Sequence, residues 1–151
     1  MNISKFTQKS VQAVQDLEKI AYEYGNQEIE EEHLLYALLT QEDSLILKLI
    51  EKMEIQKEYF IDTVKRALDA RVKVSGGELR FGQYLNKALV SAEDEAKAMG
   101  DEYVSVEHLF LSMLKNPSPS MKKLFNEFGI TRERFLQALS CLLYTLTLPT
   151  I

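Results

Sequence analysis

The chain has 151 residues, 46% apolar and 27% charged, with a formal net charge of −5 and a pI near 5.2. Those values describe one globular domain large enough for a real core, and they argue against a basic surface for nucleic acid. A single cysteine, Cys141, excludes an internal disulfide framework and suits a reducing compartment.

The chain begins Met1-Asn2-Ile3-Ser4-Lys5, without an apolar signal segment, so a cytoplasmic location is expected. The first helix is expected to start near Thr7, a good N-cap with Phe6 placed to staple against Val11, with Ser4 as the alternative cap. Ala13, Val14, Leu17, Ile20, Ala21 and Tyr24 recur at helical spacing, and Gly25 stops the helix. A short link, residues 26–29, leads to a second helix capped at Glu30, with Glu32 in its first turn and Leu34, Leu35, Leu38 and Leu39 facing inward. The third helix is expected over 45–53 and the fourth over 56–72. The polar turn 73–78 follows.

Then the pattern returns, shifted by 75 residues. Phe6/Phe81, Gln8/Gln83, Ala13/Ala88, Gly25/Gly100, Glu32/Glu107, His33/His108, Leu39/Leu114 and Phe60/Phe135 are identical pairs in one ungapped register running from 6–64 to 81–139. Gly82 takes the cap position of the fifth helix, Ser105 that of the sixth, and Pro117 and Pro119 lead into the seventh at 120–128. Thr131 caps an eighth helix expected to end at Ser140. No segment reads as a strand. The expected fold is all-α: two tandem four-helix repeats, eight helices, packed with pseudo-twofold symmetry over residues 1–140. Two copies are too few for an open solenoid, so each is expected to cover the other's apolar face.

The end departs from the repeat. Residues 135–151 carry no charge, and 141–151 have no counterpart in the first copy. Seventeen uncharged residues fall short of the roughly 20 that span a bilayer, so no membrane contact is expected. The stretch 141–151 is expected to be a non-native or disordered extension.

No GxxxxGK, GxGxxG or GxSxG occurs, and two histidines with one cysteine form no dense metal-ligand cluster. Spacing alone does not exclude a Ser-His-Asp arrangement, which forms in space, but no catalysis and no cofactor is expected of this chain. His33 and His108 are read as inward rings satisfying backbone groups at a helix start. Glu32 and Glu107, each in a first turn, suit the helix dipole. They can also join the free N–H groups there in docking a polar ligand.

Phe6-Thr7-Gln8-Lys9-Ser10, Glu23-Tyr24-Gly25-Asn26-Gln27-Glu28-Ile29, Glu32-His33-Leu34-Leu35 and Gly100-Asp101-Glu102-Tyr103-Val104-Ser105-Val106-Glu107-His108 resemble the duplicated amino-terminal domain of Clp ATPases, in wording closest to the ClpB-type disaggregase chaperones. The resemblance implies a substrate-recognition module that captures unfolded or aggregated polypeptide for a hexameric AAA+ ATPase ring. The ring, with its ATP and Mg, is absent from this chain, so the isolated domain is expected to be a non-enzymatic monomer. The resemblance places substrate handling on Thr7, Asp101 and Glu107, with Glu32 at the equivalent place in the other copy. A runner-up reading is an adaptor- or phosphoarginine-docking domain of the ClpC type, in which Glu32 and Glu107 would hold the guanidinium. Apolar groove leucines of the family correspond here to Ser91 and Glu95, so that part of a greasy patch is missing. Phe81 and Tyr84 are the nearest candidates for exposed aromatics.

Overall fold

A computed structural model describes residues 2–147, with the side chains of 144–147 set aside. After a single 3-10 turn at Ile3–Lys5, the helices are α1 Gln8–Glu23, α2 Glu31–Leu39, α3 Leu45–Lys52 and α4 Lys57–Asp69, then α5 Gln83–Ala98, α6 Val106–Lys115, α7 Pro119–Phe128 and α8 Arg132–Thr147. The eight helices and the doubling expected from the sequence are present. Sequence-coded caps start them: Thr7, Ser44 and Ser118 each accept a backbone N–H from the third residue on, and Thr131 does the same for Arg134.

Two short segments are strands where none was expected. Strand β1, Glu28–Ile29, pairs in parallel with β2, Arg80–Phe81, in the register Ile29↔Phe81. Its twin is the bridge Phe6↔Val104. Two residues are too few for alternation to show in the sequence, and the pairing partner lies in the other repeat. These bridges are reciprocal under the 75-residue shift, since Phe6 matches Phe81 and Ile29 matches Val104.

Helix packing is reciprocal too. Helix α1 packs on α6 and α5 on α2, while α3 packs on α8. Helix α4 meets α7 through Phe60 and Phe128, whose rings stand edge to face with centroids 4.9 Å apart. One continuous core results, with Leu17, Leu34, Leu38, Phe60, Leu109, Phe110 and Phe135 fully buried. Arg134 adds a polar tie. Its guanidinium donates to the carbonyls of Phe128 and Gly129 after α7 and of Met53 after α3. That explains an arginine where a capping box would place Glu.

Helix α8 runs past the expected end at Ser140. Leu142 continues the inward stripe of Phe135, Ala138 and Leu139 and packs against the core, so 141–147 is helix rather than disordered extension. The rest of the tail, 148–151, lies outside the described residues. No described helix is long and apolar enough to cross a membrane.

Candidate functional site

Thr7 and the loop before α6 come together through backbone. The Thr7 N–H donates to the Val104 carbonyl at 3.0 Å, Ser10 Oγ donates to the same carbonyl at 2.9 Å, and the Val104 N–H donates to Lys5 O at 2.8 Å. The Thr7 hydroxyl meanwhile accepts from the Ser10 N–H, capping α1. Asp101 lies three residues before Val104 and Glu107 three after. The start of α1 in one repeat therefore lies against the start of α6 in the other.

A histidine fixes this loop. The Ser105 N–H donates to His108 Nδ1 at 2.8 Å, so the ring proton sits on Nε2 and is donated to Asp101 Oδ2 at 2.8 Å. The ring is buried, whereas the Asp101 side chain remains 47% exposed. His33 does the same in the first copy, accepting from the Glu30 N–H at 2.9 Å and donating to Asn26 Oδ1 at 3.0 Å. Burial, with help from the Arg71 charge, pushes the His33 pKa down to about 4, so it is neutral at pH 7. Both histidines thus satisfy cap groups, as expected, with Asp in one copy where the other has Asn.

The twin sites differ in what fills them. Around the start of α5, a Cβ on Gly82 would stand 1.4 Å from Glu30 Oε1. The Glu30 carboxyl occupies the space that the Thr7 side chain takes in its own repeat, and it accepts the Leu85 N–H just as Thr7 accepts that of Ser10. Burial first, then the neighbouring Glu32 and Glu28, raise its pKa to about 7. Glu31 is wholly buried and accepts from the Ser118 N–H at 2.7 Å; burial raises its pKa to about 8. Glu32 is 2% exposed and receives Arg71 Nη1 at 2.7 Å.

Glu32 is therefore not available to a ligand, which corrects its expected role. Arg71 supplies Glu32 with its cation from within the same repeat. Its counterpart in the second copy is Leu146, which has none to offer. Glu107 is half-buried and has no hydrogen-bonding or ionic partner among the described residues. Phe81 and Tyr84 are half-buried rather than exposed, Phe81 being held by its pairing with Ile29 and its packing on the core. They lie at the filled twin. The exposed large side chains beside Asp101 are instead Met99 and Tyr103, at 37% and 52%. Aligning the repeats could have found them, because Met99 stands opposite Tyr24 and Tyr103 opposite Glu28. On α5, Glu95 is buried and gripped by Arg132 at 2.8 and 3.1 Å.

Residues 5–143 match the family described as Clp repeat (R) N-terminal domain. The chain is 40% identical over 145 residues to the chaperone protein ClpB of Nitratidesulfovibrio vulgaris strain Hildenborough, covering 92% of this chain but only 17% of that protein. In fold it is similar to the Hsp104 N-terminal domain from Candida albicans, with TM-score 0.76, 21% identity, and coverage of 89% and 88% of the two chains. It is also similar to a ClpV N-domain in complex with a VipB peptide, with TM-score 0.69, 22% identity, and coverage of 91% and 89%.

Proposed function

The chain belongs to the Clp repeat N-terminal domain family, and from that premise we propose that it is the substrate-recognition module of a ClpB-type disaggregase. It binds unfolded or aggregated polypeptide and hands it to an ATPase ring outside this chain, where ATP and Mg would be used and where the whole protein would be a cytoplasmic hexamer. The module itself is non-catalytic.

What supports this reading above all is the open surface at Thr7, Asp101 and Glu107. Backbone hydrogen bonds hold its parts in place, leaving an exposed carboxylate, an unpaired half-buried one and the exposed apolar groups of Met99 and Tyr103. Rigid polar anchors beside modest apolar area suit weak, sequence-tolerant capture of extended chains. The peptide held by the similar ClpV domain agrees with a protein ligand. Fluorescence anisotropy with a labelled, permanently unfolded protein tests the proposal. Binding should weaken at least several-fold in a Thr7→Ala/Asp101→Ala/Glu107→Ala triple variant. Equal binding by the triple variant contradicts it.

One observation favours a second reading, a docking site for adaptors or phosphoarginine. Arg71 on Glu32 displays a guanidinium seated where Glu107 is empty-handed in the other copy. A phosphoarginine peptide that binds wild type, is lost with Glu107→Ala and is not replaced by its unphosphorylated form would select it.

A further inference from the structure

Three successive carboxyls of the first repeat, on Glu30, Glu31 and Glu32, are buried at the seam between the repeats. Two of them cross it. Glu30 accepts the Leu85 N–H in the first turn of α5, and Glu31 accepts the Ser118 N–H at the start of α7 at 2.7 Å. One oxygen of each carboxyl, Glu30 Oε2, Glu31 Oε2 and Glu32 Oε1, has no hydrogen-bond partner among the described residues. The charged groups facing them come from the strands and from the end of α4. Arg71 holds Glu32 at 2.7 Å and Glu28 of β1 at 3.4 Å, and Arg80 of β2 reaches Glu28 at 3.5 Å. Beside them on α2, His33 is neutral at pH 7. Helices α5 and α7 turn the Leu85 and Ser118 N–H groups and the Ser118 hydroxyl towards them. Four carboxyls thus meet two guanidiniums, and Glu30 and Glu31 are the two without an ion pair. A buried carboxyl without a counter-ion takes up a proton instead. The second repeat has Ser105 and Val106 at these two places, so the fold can be built without acids there.

This seam is joined to its twin through packed helices. Helix α2 packs on α1, and α5 packs on α6. Helix α1 starts at Thr7 and α6 carries Glu107, and the Thr7 N–H on Val104 O ties the two starts together. Ionising Glu30 and Glu31 sets unmatched, mutually repelling charge between α2 and the starts of α5 and α7. Movement of α2 away from α5 passes through close-packed side chains into the spacing of α1 and α6.

We infer that polypeptide capture by this chain is proton-linked: with Glu30 and Glu31 protonated, the repeats close and hold Thr7 in register with Asp101 and Glu107, and loss of those protons loosens that register and weakens capture. The link rests on the reading of that surface as a polypeptide-capture site and adds its regulation. Burial raises Glu30 to about 7 and Glu31 to about 8, so both lose their protons as pH rises through those values. Capture therefore tightens as pH falls from 8.5 to 6.5. By linkage the effect is reciprocal, and a bound polypeptide holds the protons on the pair by the same factor.

The test is fluorescence anisotropy of the full chain with a labelled, permanently unfolded protein lacking His and Cys, from pH 6.5 to 8.5 at constant ionic strength, with helicity followed by circular dichroism. Wild-type Kd should rise at least about fourfold across that window, the yield of one fully linked group that titrates near pH 8. Glu30→Gln/Glu31→Gln, which replaces both carboxyls by neutral amides, should hold its Kd constant within about twofold, and Glu31→Gln alone should lose part of the rise. In wild type, the carbon-13 resonance of the Glu31 carboxyl should titrate at higher pH once the unfolded protein is bound. An unmoved titration overturns the link, as does a full rise in the double variant or a rise seen only where helicity is lost. Wild type that captures the unfolded protein equally at every pH sinks the proton link alone; wild type that captures it at none sinks the capture surface too.

Discussion

Gly82 and Glu30 share one space: the carboxyl of the second stands where the side chain of the first would be, 1.4 Å from a Cβ built there. A glutamate of the first repeat thereby caps a helix of the second. The backbone at Gly82, φ −72°, is open to any residue, so the glycine is there for room alone. Gly82→Thr should therefore evict Glu30 and cost about 1–2 kcal/mol, and Glu30→Ser should strip the cap at a similar cost. The double variant Gly82→Thr/Glu30→Ser, which copies the Thr7 and Ser105 pair, should recover most of the loss. Urea unfolding measures all three, and a double variant no better than the sum of the singles would refute the shared space.

The buried acids make stability depend on pH in an unusual direction. Glu30 and Glu31 have folded pKa values of about 7 and 8, above the ordinary carboxylate value of 4.5. Their contribution is fully present below pH 4.5 and is lost as pH rises through the folded values. His33, lowered to about 4, opposes this on the acid side only. Between pH 6.5 and 8.5 the loss from the two acids should stand alone, on the order of 2 kcal/mol. Urea midpoints across that window should fall, and Glu31→Gln should flatten the fall. A midpoint constant for wild type would contradict the assignment.

Glu54 adopts φ 62° after α3, where its counterpart Gly129 has φ 64° after α7. A left-handed conformation costs a residue with a Cβ roughly 1 kcal/mol relative to glycine. Glu54→Gly is accordingly expected to raise stability by about 1 kcal/mol, and Gly129→Ala to lower it by about as much. Thermal melts of the two variants should move in opposite directions.

Glu95 stands where the first repeat has the buried Ile20. Removing its partner with Arg132→Ala strands a carboxylate that is only 4% exposed. Because the Arg132 side chain is itself 40% exposed, the cost should be about 2 kcal/mol, below that of a fully buried pair. Glu95→Ile in the same background should restore stability, as guanidinium unfolding would register. No recovery would mean that α5 does not use this position as α1 uses Ile20.

The doubled fold was legible because both signals it needs are local and repeated: helical spacing of Leu and Ala, and capping residues at fixed offsets. The histidines were legible for the same reason, each lying three residues after its cap. What escaped was non-local. Nothing near Glu32 in sequence announces that Arg71, beyond two more helices, returns to cover it. The burial of Glu30 depends on a missing side chain at Gly82. Three successive glutamates stand at this helix start, yet Glu30 is buried against Gly82, Glu31 against Ser118 and Glu32 under Arg71. The repeat ends at residue 139, so it carries no signal for the extension of α8, which follows the apolar stripe on through Leu142.

Two equivalent helix starts differ, one filled from within by Glu30 and Arg71, the other open at Thr7, Asp101 and Glu107. Amide NMR of the whole chain titrated with an unfolded protein measures this directly. Perturbations should cluster at Thr7 and from Met99 to Glu107 and leave Asn26 to Glu32 unmoved. Equal perturbation at both starts, or perturbation at the filled one alone, would contradict it.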